Sequence, residues 1–88
     1  MDPVINFNMI NNINNLLIEN NINYSVHIIG GCATCGIEVR NDGNKEDTVD
    51  IEIIKDIINE YLKSKYIRVT NNDYDPYILY ADSLFNFN

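Results

Sequence analysis

The stretch IEIIKDIINEYL, residues 51–62, decides the fold class of this 88-residue chain. Its apolar residues recur at the 3.6-residue period of an α-helix and form two adjacent stripes. The first stripe is Ile51, Ile54, Ile58 and Leu62, and the second is Ile53, Ile57 and Tyr61. The pattern predicts an amphipathic helix with a wide, well-buried apolar face, capped by Asp47 or Thr48.

The rest of the chain reads as one more helix and four strands. The predicted helix covers residues 8–20 with Asn8 as its N-cap, and the predicted strands cover residues 24–29, 36–40, 66–70 and 77–81. The resulting order α-β-β-α-β-β favours an α+β fold, in which two helices pack on one face of a four-stranded antiparallel sheet. Residues 1–88 then form a single domain, and residues 83–88 are predicted to be a loose tail.

The alternation of side chains along the predicted strands leaves one sheet face polar and open to a partner. The residues expected on that face are Ser25, His27, Glu38, Arg40, Arg68 and Thr70.

The composition limits the classes of partner. Thirteen acidic residues against six Lys and Arg give a net charge of −7, which disfavours direct binding of nucleic acid. Such a chain is attracted to basic protein surfaces, although an acidic surface also serves solubility alone. No apolar run reaches the length of a membrane span, and the opening residues lack a basic signal region, so we expect a cytoplasmic protein.

The two cysteines, Cys32 and Cys35, stand in a Cys-x-x-Cys-Gly sequence at the tip of a predicted hairpin. Two thiolates at this spacing can share one zinc ion, but a closed site needs four ligands. His27 is the candidate third ligand, and two chains could also each donate a cysteine pair in a zinc-bridged dimer. Dithiol redox chemistry is the second alternative, although the sequence after Cys35 reads as a strand and not as a helix. In the third, both cysteines are small residues of a tight turn.

The acidic residues are concentrated near two turns. Six of the thirteen are Asp42, Glu46, Asp47, Asp50, Glu52 and Asp56, and a second group contains Asp73 and Asp75. Two acidic lobes of this kind could imitate successive phosphates in a basic groove. Asp47 and Asp50 also suit the N-terminus of a helix for ordinary dipole reasons.

Three short stretches resemble a family of small phage-borne anti-CRISPR proteins that inhibit the nuclease Cas9. They are residues 13–17, residues 24–26 with Gly30 following, and residues 39–44 (Val-Arg-Asn-Asp-Gly-Asn). The resemblance implies DNA mimicry, in which acidic residues occupy the site where the nuclease reads the short motif beside its target. It implies that Asp42, Gly43 and Asn44 lie in the loop that contacts the nuclease. This chain has Lys45 where that family has an acid.

The sequence therefore predicts a non-enzymatic acidic module, monomeric or homodimeric and without a cofactor, that inhibits a basic nucleic-acid-binding protein such as a CRISPR nuclease. The expected partner-binding residues are Asp42, Gly43, Asn44, Glu46, Asp47, Asp73 and Asp75. The alternative is a small zinc- or thiol-binding protein that uses Cys32, Cys35 and His27.

Overall fold

Two helices cover one face of a four-stranded antiparallel sheet in the computed structural model, which describes residues 5–29, 36–43, 46, 48–71 and 73–83. The helices are α1 (Phe7–Glu19) and α2 (Ile51–Leu62), with a short 3-10 turn at Lys63–Lys65. The strands are β1 (Tyr24–Ile28), β2 (Gly36–Asn41), β3 (Ile67–Asn71) and β4 (Ile78–Ser83). The sheet order is β1-β2-β4-β3. The α+β fold and its α-β-β-α-β-β order are confirmed.

The core lies between the helices and the sheet, where α1 packs on β1 and α2 on β3. Its largest fully buried side chains are Ile13, Leu17, Val26, Ile37, Ile54, Ile58, Leu62 and Leu79. Each contributes about 1.5–3 kcal/mol through burial. The apolar face of α2 is narrower than predicted, because Ile53 is 51% exposed. It is rotated by about 100° from Ile54 around the helix, beyond the reach of α1 and the sheet.

Both predicted helix caps are wrong by two or more residues. The N-cap of α1 is Asn6, whose Oδ1 accepts the N–H of Met9 at 2.9 Å, and Asn8 lies inside the first turn. The N-cap of α2 is Asp50, whose Oδ1 accepts the N–H of Glu52 at 3.0 Å. Thr48 does not act as this cap, because it lies two residues before Asp50, outside the helix, and the N–H of Val49 donates to the Tyr24 hydroxyl. Asp47 lies outside the described residues.

Strand boundaries differ from the predictions for local reasons. β3 begins at Ile67 because Tyr66 has a left-handed backbone with φ of 60°. β4 begins at Ile78 because Asp75 forms a turn by accepting the N–H of Tyr77 through its side chain. β4 continues to Ser83, which pairs with Ile67, so the predicted tail starts too early by one residue. The rest of that tail lies outside the described residues.

The open face of the sheet carries the six polar residues that the alternation predicts, each half-buried or exposed. It is less polar than expected, because Ile78 and Tyr80 alternate with the buried Leu79 and Ala81 and so face the same side. On this face Ile78 is half-buried, whereas Tyr80 is 50% exposed. Neither helix of the described part of the chain is long and apolar enough to cross a membrane.

The two halves of the chain repeat one α-β-β unit. In the sheet order β1-β2-β4-β3, the first strand of each unit lies at an edge and the second lies in the centre. Residues 13–17 and 58–62 share the sequence Ile-Asn-x-x-Leu. The side chain of Asn14 bonds both main-chain polar groups of Val26, and that of Asn59 does the same to Val69. The residue four positions after each shared Leu, Asn21 or Tyr66, has a left-handed backbone.

Strand register locates a pseudo-twofold axis between these halves. Val26 pairs with Val39 and its counterpart Val69 pairs with Ala81, so Val39 and Ala81 are equivalent positions. Two residues earlier in each strand, Ile37 is therefore equivalent to Leu79. These two residues are themselves register partners across the centre of the sheet, so the axis passes between them.

Candidate functional site

Several acidic segments meet at one end of the sheet. The loop after β3 returns beside the end of β2, because the N–H of Val39 donates to the carbonyl oxygen of Tyr77 over 2.7 Å. The start of α2 lies at the same end, because Lys55 Nζ is 3.2 Å from Asn71 Oδ1 in the last residue of β3. We call this region the acidic end. Its described carboxylate residues are Asp42, Glu46, Asp50, Glu52, Asp73 and Asp75.

The turn after β2 fixes the position of Asp42. Its N–H donates to the carbonyl oxygen of Asn23 over 2.9 Å, so the main chain continues the β1–β2 ladder by one pair. The N–H of Gly43 then donates to Oδ1 of Asn41 at 2.9 Å, which turns the chain away from the sheet. The Asp42 side chain is exposed, so its carboxylate is accessible to a partner.

The turn before β4 holds Asp73 and Asp75 in different ways. Asp75 is half-buried, and its side chain and carbonyl accept the N–H groups of Tyr77 and Ile78 at 2.9 and 3.1 Å. Asp73 is exposed. Asp75 therefore shapes the loop, while Asp73 offers its charge to solvent.

A polar triad anchors the start of α2 to β3. Lys55 Nζ lies 2.8 Å from Glu52 Oε2 and also donates to Asn71. Hydrogen bonds from Lys55 and from the Asn71 side chain hold the pKa of Glu52 below its ordinary value. A second described cation near this end, Arg40, is bound to Glu38.

The remaining described cations lie at the other end of the sheet, so charge is partly separated along the molecule. Lys63, Lys65 and Arg68 surround the end of α2 and the start of β3, at the opposite end of the sheet from the acidic end. This arrangement suits the α2 dipole, because Asp50 and Glu52 lie at the N-terminus of the helix and Lys63 and Lys65 follow its C-terminus.

The predicted partner-binding residues Asp42, Gly43, Glu46, Asp73 and Asp75 are brought together at the acidic end, although they come from two loops. Asn44 and Asp47 lie outside the described residues. Asp50 and Glu52 also lie at the acidic end, and they are not among the site residues predicted from the sequence. The signal that could have found them is their place at the start of the predicted helix, next in the chain to the loop that carries Asp42 and Glu46.

The predicted metal ligand His27 lies on the open face of β1, and its Nε2 is 2.8 Å from the Ser25 hydroxyl. Its register partner in β2 is Glu38. The predicted ligands Cys32 and Cys35 lie outside the described residues, between β1 and β2. Among the residues that the structure does describe, no group of three or more His, Cys, Asp or Glu side chains could hold a metal ion.

A groove of about 480 Å³ follows the seam between the helices, with Leu16, Ile57 and Tyr61 in its lining. The Tyr61 hydroxyl already accepts a 2.8 Å hydrogen bond from Asn12. Within the described part of the chain, no buried side-chain polar atom lacks a partner. The groove therefore has no unpaired buried polar group that would orient a small ligand.

Comparisons of the chain with protein-family models, curated proteins and solved structures give no match.

Proposed function

We propose that this protein is an acidic binding module that occupies the basic surface of a nucleic-acid-handling protein. The observation that carries the proposal is the convergence of the β2–α2 loop, the β3–β4 loop and the start of α2 at the acidic end. Several carboxylates that come from different elements and lie close together give a stronger local negative potential than one loop alone would produce.

The separation of charge supports a defined orientation on such a partner. The acidic end would face the basic groove, while the lysines at the other end stay away from it. Complementary potentials of this kind raise the rate of association and fix the register of a complex. A CRISPR nuclease is the partner that the sequence resemblance suggests, with its DNA-binding groove as the surface to be occupied.

The test is calorimetric titration of a guide-loaded CRISPR nuclease with the protein at low and high salt. The Asp42→Asn/Asp73→Asn variant should lose about tenfold in affinity, because both carboxylates are exposed at the acidic end. The matched control, Asp56→Asn/Glu60→Gln, removes the same charge from the outer side of α2 and should change affinity by less than about threefold. Duplex DNA carrying the target motif should compete with the unmodified protein.

Affinity that stays constant between low and high salt would contradict the proposal, because exposed charge pairs are screened by salt. Equal losses in the two variants would also contradict it, since the effect would then follow net charge and not the acidic end.

A second candidate function is zinc binding by the β1–β2 hairpin. The observation that favours it is the register, which sets His27 opposite Glu38 in the two strands that precede and follow the cysteines in the chain, while β2 begins directly after Cys35. His27 would exchange its contact with Ser25 for the metal.

Native mass spectrometry of protein purified without chelator tests this candidate. One zinc ion per chain, or one per dimer, should be present and should disappear in the Cys32→Ser/Cys35→Ser variant. A metal-free protein whose thermal stability is unchanged by these substitutions would eliminate the zinc site.

A further inference from the structure

The two edges of the sheet carry main-chain groups that point away from it. In β1, the N–H of Ile29 donates to Gly36 and the carbonyl oxygen of Asn23 accepts from Asp42, so the odd-numbered residues bond to β2. Antiparallel pairing alternates, so Tyr24, Val26 and Ile28 direct their N–H and C=O groups outward. Groups of this kind are a template on which another strand can add.

The middle position of the β1 edge is closed by a side chain from the helix above. The N–H of Val26 donates to Asn14 Oδ1 at 2.7 Å, and Asn14 Nδ2 donates to the Val26 carbonyl oxygen at 3.3 Å. One carboxamide thus takes both of the hydrogen bonds that an added strand would make at this residue. Asn14 is half-buried and lies beside the fully buried Ile13, so packing holds it in place.

The β3 edge is closed in the same way. The N–H of Val69 donates to Asn59 Oδ1 at 2.7 Å, and Asn59 Nδ2 donates to the Val69 carbonyl oxygen at 3.3 Å. Asn59 follows the fully buried Ile58 as Asn14 follows Ile13. The pseudo-twofold axis therefore relates the two closures, and each edge is blocked at its central outward residue.

We propose that Asn14 and Asn59 are gatekeepers that prevent the sheet edges from pairing with a second copy of this chain. A second copy is the relevant occupant, because every chain presents two equivalent edges of matching length. Without the carboxamides, the edge of one copy could pair with either edge of the next, and such pairing continues from copy to copy without closing. The inference is independent of the proposed partner at the acidic end.

Amide hydrogen exchange of the unmodified protein gives the first test. The amides of Val26 and Val69 should exchange slowly although they point away from the sheet, because each is bonded to a buried carboxamide. Replacement of both asparagines by alanine should speed their exchange at least about tenfold. Unprotected amides at these two positions in the unmodified protein would overturn the proposal.

Sedimentation velocity over a range of concentrations gives the second test. Asn14→Ala/Asn59→Ala should self-associate at concentrations at least about tenfold lower than the control Asn11→Ala/Asn15→Ala, in which both replaced residues are exposed on α1. Circular dichroism verifies that the fold is kept. Association no stronger than that of the control, in a folded variant, would overturn the proposal.

If the double variant does not fold, the single variants Asn14→Ala and Asn59→Ala replace it. Each removes the carboxamide from one edge only, so two copies should still pair through that edge. The same comparison with the control then decides the question, together with the exchange of the two valine amides.

Discussion

Ile37 lies directly opposite Leu79 across the central pair of strands, and the two residues hold equivalent positions in the two α-β-β halves. Both are fully buried. The pseudo-twofold axis therefore passes through the buried centre of the sheet, where the central strand of each half pairs with that of the other. The repeat is therefore joined through an interdigitated core, and neither half has a separate core.

Truncation of the side chain of either residue beside this axis should strongly destabilise the protein. Ile37→Ala and Leu79→Ala should each lower the free energy of unfolding by about 2–5 kcal/mol, because both leave a cavity in the core. Ile18→Ala, at a position that is 67% exposed, should change it by less than about 0.5 kcal/mol. Urea denaturation measures all three. In the double variant the effects should depart from additivity, since the residues are adjacent.

The start of α2 depends on Asp50. Asp50→Ala should lower the free energy of unfolding by about 1 kcal/mol, because the N–H of Glu52 loses its acceptor. Thr48→Ala is the matched control, and its effect should be close to zero because Thr48 does not cap the helix. The same urea experiment distinguishes the two positions. A larger loss in the threonine variant would contradict the assignment of the cap.

A substitution at Tyr66, which has a left-handed backbone, should stabilise the protein. This conformation costs most L-residues, including tyrosine, about 1–2 kcal/mol. Asparagine tolerates it better, because its short polar side chain can form a local hydrogen bond. Tyr66→Asn should therefore raise the free energy of unfolding by about 1 kcal/mol. The control is Tyr74→Asn, at a position that is 96% exposed. A decrease for Tyr66→Asn would mean that contacts of the tyrosine ring outweigh the backbone strain.

The contact of Glu52 with Lys55 and Asn71 should depend on pH. The pKa of Glu52 is lowered in the folded protein, so the stabilisation is present above the ordinary glutamate value of 4.5. It is lost as the pH falls through the lowered pKa, when the carboxylate is protonated. Carboxyl carbon chemical shifts measured against pH should show this, and Lys55→Gln should move the midpoint upward. An unchanged midpoint in that variant would exclude Lys55 as the main cause.

The sequence predicted correctly the features that local interactions decide, and it failed for those that depend on contacts between distant residues. The apolar periods that locate Ile54, Ile58 and Val26 are local, and all three residues are buried as expected. The helix caps were wrong because Asp, Asn and Thr are all good caps. The choice among them is made by a distant contact, such as the bond from Val49 to the Tyr24 hydroxyl.

The candidate site shows the same division. The acidic character of the two loops is plain in the sequence, but their meeting at one end requires the sheet order β1-β2-β4-β3, which no local pattern contains. The roles of Asp73 and Asp75 differ only because the turn before β4 uses the carboxylate of Asp75.

By itself, the sequence determined the class of fold, the buried face of each element and the acidic charge, because these depend on side-chain type and periodicity. Only the tertiary structure decided the pairing of Ile37 with Leu79, the closure of both edges by Asn14 and Asn59, and the gathering of carboxylates at one end. The physical reason is that strand order and register are set by long-range packing between the two halves. Residues about 40 positions apart in the chain thereby become neighbours or counterparts.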